Sequence, residues 1–75
     1  MQGNGKGVDI SRINGMKMGL YYKKNKTVQN ITDSIQNCFE TYRYRRENFG
    51  PLFKKKLGKP YKVKGHNDHV HISVN

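Results

Sequence analysis

The chain has 75 residues, 33% of them hydrophobic and none of them Trp, with a formal net charge of +10. A chain of this size buries only about 60% of the surface it exposes when unfolded, so the composition allows one modest core and excludes a large multi-domain enzyme. Fifteen Lys and Arg face five acids, a field that favours polyanions such as nucleic acid, anionic lipid or an anionic cell-wall polymer.

In chain order, Gly3, Gly5 and Gly7 open a flexible start, and MQGNGKGVDI has no apolar run of the kind a secretion signal requires. VDISRI alternates, with Val8 and Ile10 on one side and Asp9 and Ser11 on the other, which predicts a strand. Asn14-Gly15 is the strongest short hairpin signal, and MKMGLYY supplies a return strand, so residues 7–22 are expected to form a β-hairpin. Val28, Ile31, Ile35, Cys38, Phe39 and Tyr42 then step by three and four. They predict an amphipathic helix over 28–47, with Thr27 as N-cap, Asp33 early and Arg43, Arg45 and Arg46 near the end. Gly50-Pro51 stops it. Cys38, the single cysteine, can form no disulfide within the chain and reads as a small buried hydrophobe; Tyr42 reads as core. No segment is long enough to span a membrane.

LFKKKLGKPYKVKGHND reads as a basic loop with a short turn around residues 52–57. HVHISV alternates again: Val70, Ile72 and Val74 face one way, His69, His71 and Ser73 the other. The expected fold class is therefore α+β. A small antiparallel sheet, made of the N-terminal hairpin and the C-terminal strand, packs on one amphipathic helix, with residues 1–75 as a single domain.

All three histidines, His66, His69 and His71, lie within six positions. An H-x-H pair on a strand puts two imidazoles on one face, a common way to hold zinc or to set a base beside it. His66 approaches from the side. Asp9, opposite Val8 and Ile10, lies on the open face of its strand, and it meets His71 if the first strand pairs beside the last. The competing reading is a set of surface histidines with Asp9 capping a turn, and spacing alone does not separate the two.

The residues resemble a known family. GHNDHVHISV is similar to the closing motif of zinc-dependent peptidoglycan peptidases of the Hedgehog/DD-peptidase fold. These include D-alanyl-D-alanine carboxypeptidases and penicillin-insensitive murein endopeptidases, whose last strand carries H-x-H with a further His three positions earlier. GNGKGVDISRING resembles their other motif, S-x-H-x-x-G-x-A-x-D, with Gly5, Gly7 and Asp9 in register, and FGP after the helix resembles a junction found there. The resemblance covers almost all of this chain and the C-terminal part of a typical family domain. It implies Zn²⁺ bound by Asp9 and His71, with His69 as general base or transition-state stabiliser. It makes His66 the residue that orients His69 or the substrate, and Ser11 and Arg12 substrate contacts. It implies hydrolysis of peptide bonds in cell-wall stem peptides or cross-links, in the periplasm or outside the cell. The motif's first histidine, a zinc ligand, aligns with Gln2, so the expectation is a truncated segment or a shortened relative, with weak metal binding and little hydrolysis.

Two alternatives stand beside this. One is a non-catalytic wall-binding remnant that keeps the fold without the chemistry. The other is a basic module that binds nucleic acid non-specifically through its Lys and Arg clusters and Tyr21, Tyr22, Tyr42, Tyr44 and Phe53. Open sheet edges offer a route to a homodimer.

Overall fold

A computed structural model describes residues 6–74. The strands are β1 (Lys6–Ile10), β2 (Arg12–Ile13), β3 (Met16–Lys17), β4 (Arg45–Phe49), β5 (Lys54–Lys56), β6 (Lys59–Pro60) and β7 (Val70–Val74). The helices are the single turn α1 (Met18–Tyr21) and the main helix α2 (Lys26–Phe39). The architecture is α+β: one five-stranded antiparallel sheet, in the order β1-β7-β4-β5-β6, with α2 on one face. No described helix is long and apolar enough to cross a membrane. Gln2, Gly3 and Gly5 of the family-like motif lie outside the described residues.

The turn at Asn14-Gly15 forms as expected, with both residues at positive φ, 53° and 79°. The hairpin around it is shorter than the sequence predicts. It joins only β2 and β3, apart from the main sheet, and Met18–Tyr21 coils into α1 instead of extending as a return strand. This frees β1 to pair with β7, matching Asp9 with His71 and Val8 with Ile72.

The helix differs at both ends from the expectation. Its N-cap is Asn25, whose Oδ1 accepts from Val28 N at 3.1 Å, and Thr27 sits inside the first turn. It ends at Phe39, well before Gly50-Pro51. Residues 45–49 are instead a strand next to β7, with a shift of register between Arg45 and Glu47 that leaves Arg46 as a bulge. The basic segment after it is not a loop throughout. Leu57-Gly58, at φ 54° and 80°, turns β5 into β6.

The core joins the underside of the sheet to α2 and the small hairpin. Ile13, Met18, Val28 and Val70 are buried, with Ile10, Met16, Tyr22, Ile31, Ile35 and Ile72 packed round them. Each such apolar side chain, fully buried, contributes about 1.5–3 kcal/mol. The helix face turned inward runs Val28, Thr32, Gln36, so two of its three fully buried positions are polar. Gln36 closes the gap between helix and sheet. Its Nε2 donates to Asn48 Oδ1 at 3.0 Å and to Phe53 O at 2.9 Å, and its Oε1 accepts from Leu52 N at 3.1 Å. Asn48 Nδ2 donates back to Gln36 O at 2.9 Å and to Glu40 Oε2 at 2.9 Å. A Cβ on Gly50 would stand 2.4 Å from Gln36 Oε1, so this turn accepts only glycine without rearrangement. Cys38 is exposed, not buried, and Tyr42 is 47% exposed, not core. Both line an open apolar groove of about 740 Å³ with Ile31, Ile35, Phe39 and Ile72.

Candidate active site

Alternation along β7 separates two roles. Val70 goes down into the core, and His71 goes up onto the face opposite α2. The register then sets one row across four strands: Asp9 on β1, His71 on β7, Phe49 on β4 and Lys54 on β5. A second row beside it runs Gly7, Ser73, Glu47, Lys56 and Lys59.

His71 sits between two carboxylates. Its Nδ1 is 2.7 Å from Asp9 Oδ1 and its Nε2 is 3.0 Å from Glu47 Oε1. An imidazole with an acid on each nitrogen is favoured in its doubly protonated form, donating on both sides. Burial lowers the His71 pKa, but the bonds to Asp9 and then Glu47 outweigh it and the net shift is upward. Asp9 is held below the usual carboxylate range, chiefly by the hydrogen bond from His71. For Glu47 burial works upward, yet the bonds from His71 and Ser73 bring it down overall. Ser73 fixes Glu47 from two directions: its Oγ donates to Glu47 Oε1 at 3.0 Å and accepts from Glu47 N at 3.1 Å. Glu47 was not among the residues picked out from the sequence. Its alternation with Phe49 in RRENF is a strand signal, hidden because the segment continues a run of good helix formers.

His66 and His69 lie beside this triad. Gly65 and His66 both adopt positive φ, 78° and 64°, and the sharp bend folds the His66 ring back over the sheet. Its centroid is 4.8 Å from that of His69, 5.2 Å from Phe49 and 6.0 Å from His71. His69 precedes β7 rather than belonging to it. Its Nδ1 is 2.7 Å from Asp68 Oδ1, and that bond pulls the Asp68 pKa down. An imidazole that gives its Nδ1 proton to a carboxylate keeps Nε2 as its basic nitrogen. Ser11 and Arg12 do not touch the histidines. They line a hollow shared with Gly19 and Asp68, and Arg12 Nη1 reaches only Gly15 O, at 3.4 Å. Gly19 makes that hollow possible, since a Cβ there would stand 2.8 Å from Asp68 Cβ.

Among the described residues no three His, Cys, Asp or Glu side chains form a group able to hold a metal ion. The linear arrangement is the reason. Asp9 and Glu47 bind opposite nitrogens of one ring, so they cannot turn toward a common point with it. Comparison of the chain with family models, curated proteins and solved structures returns no match.

Proposed function

We propose that this chain carries the Asp9–His71 side of a zinc-dependent peptidase site of the Hedgehog/DD-peptidase type, acting on peptide bonds of peptidoglycan stems or cross-links. The observation that carries it is the Asp9–His71 contact of 2.7 Å, made across residues 62 positions apart, with Glu47 on the far nitrogen. Metal-bound histidines commonly give their second nitrogen to an outer carboxylate, and Glu47 stands in that place. A carboxylate and an imidazole are donor types zinc takes, and these two would hold it in place of the proton they now share. Asp9 Oδ1 and His71 Nδ1 thus fit as two donors. Among the described residues no third donor joins them, so binding is expected to be weak.

Zinc in such a place polarises a carbonyl and acidifies water. The chain's own groups do the rest. His69, tethered through Nδ1 to Asp68, offers Nε2 as a proton acceptor. His66 packs against both His69 and Phe49 and fixes where that ring can lie. To hold an ion His71 would have to give up its Nδ1 proton, so binding would weaken as pH falls.

Calorimetric titration of the full chain with Zn²⁺, at two pH values, tests the reading. One ion per chain is expected to bind weakly, more weakly still at the lower pH, and not at all in Asp9→Asn and His71→Ala. Absence of binding, or binding untouched by both substitutions, overturns it. Wall hydrolysis is measured alongside. Binding to isolated peptidoglycan that survives His71→Ala, without hydrolysis by the unaltered chain, would favour the non-catalytic wall-binding reading, which the outward positive charge supports.

A further inference from the structure

We propose that the same open face holds an anion subsite two strands from His71, built on Lys54 and Lys56, which takes the carboxylate of a short peptide lying across β4. This rests on the reading of Asp9 and His71 as the reacting end of the site.

Lys54 ends the row that begins at Asp9. Its Nζ is fixed by two neutral oxygens, Gly50 O at 3.2 Å and Asn67 Oδ1 at 2.9 Å. An ammonium has three donors, so one N–H remains for a ligand and the charge meets no acid. The ion pairs among the described residues involve only Arg45 and histidines. All five acids are engaged elsewhere: Asp9 and Glu47 with His71, Asp68 with His69, Glu40 with Arg45, and Asp33 with the Tyr22 hydroxyl.

Lys56 ends the neighbouring row, and its Nζ lies 5.0 Å over the Tyr61 ring. Tyr61 stacks on Phe49 at 5.8 Å and 12°. Along the first row the face runs from Asp9 and His71 through buried Phe49, capped by the exposed Tyr61 ring, to Lys54; in the neighbouring row Glu47 of β4 stands across from Lys56 but is bonded to His71 and Ser73. Lys55 points the other way, since it pairs with the buried Asn48.

Two strand steps separate Lys54 from His71, about 9–10 Å, which an extended peptide covers in about three residues. An apolar side chain between the two ends would rest on Tyr61, which is exposed and stacks on buried Phe49. A polyanion fits poorly, because its further charges would fall on Asp9 and Glu47. The chemistry selects a peptide with one free carboxylate about three residues from the bond presented to His71.

NMR titration of the full chain with acetyl-trialanine, and with the same peptide as its terminal amide, tests this. The free acid is expected to bind about tenfold tighter, the scale of a charge-assisted pair. Lys54→Gln/Lys56→Gln removes the preference, and Lys55→Gln, with the same loss of charge, retains it. In the unaltered chain, absent zinc binding or hydrolysis beside an intact preference for the acid counts against the metal reading alone. Should the double variant fail to fold, Lys56→Gln alone is expected to lose roughly threefold of the preference, a share of the same charge-assisted term. Equal affinity for acid and amide, binding of neither, or an equal effect of Lys55→Gln overturns the subsite.

Discussion

Replacing Gln36 by Leu tests what holds the helix to the site-bearing sheet. Gln36 has no exposed surface, and its side chain makes three hydrogen bonds, at 2.9, 3.0 and 3.1 Å. A net hydrogen bond contributes about 0.5–1.5 kcal/mol, and a buried partner left without one costs about 1–3 kcal/mol. Asn48, 1% exposed, cannot rehydrate, whereas Leu52, 40% exposed, can. The expected loss is therefore about 3 kcal/mol, set by one full orphan and two partly solvated ones. A chain of this length has a total stability of about 4–11 kcal/mol, so the variant keeps only part of it. Thermal unfolding reads the loss as a fall of roughly 12–24 °C in Tm, and urea unfolding gives the free energy directly. A double-mutant cycle with Asn48→Ala isolates the Gln36–Asn48 term. A Gln36→Leu chain within about 1 kcal/mol of the unaltered protein would refute the assignment of this polar clamp as the joint between helix and sheet.

Three further outcomes are expected. In the metal-free chain, kept in chelator, the contribution of the Asp9–His71–Glu47 triad to stability should be largest between about pH 4.5 and 6.5. His71 lies above its ordinary 6.5, so its share is complete below that value and is lost as pH rises through the raised one. Asp9 and Glu47 lie below their ordinary 3.8 and 4.5, so theirs is complete above those values and is lost as pH falls through the lowered ones. Urea midpoints across pH should flatten in His71→Gln. Asn25→Ala should cost about 1 kcal/mol and Thr27→Ala less than half of that, since only Asn25 caps the helix; denaturant unfolding of the pair checks it. Thr32→Val should stabilise by about 1 kcal/mol, because the Thr32 hydroxyl is buried with no partner; its urea midpoint should rise with the slope unchanged.

Local signals were readable where one residue type fixes the backbone or where burial follows a simple period. Asn14-Gly15 declared its turn, and the alternation of HVHISV located a strand with His71 and Ser73 on its open side. The contact of Asp9 with His71 followed from that alternation once the first strand was placed beside the last. What stayed hidden depends on partners distant in sequence. RRENF has the composition of a helix end, and only its neighbours β7 and β5 make it a strand. Lys54–Lys56 looks like a solvated charge run, yet it pairs with β4. Gln36 and Asn48 are polar, so no hydrophobic period could mark them as interior. Glu47 shared that fate, and with it the second carboxylate on His71.

β7 divides its labour by parity. Val70 and Ile72 join the core, and His71 and Ser73 meet the carboxylates of Asp9 and Glu47 on the other face. The two duties can therefore drift apart under selection: swapping imidazole 71 for an inert side chain leaves the anchoring set unaltered. A lineage could lose the imidazole and keep its shape, so architecture alone would be a poor guide to which descendants keep the polar row on the open face.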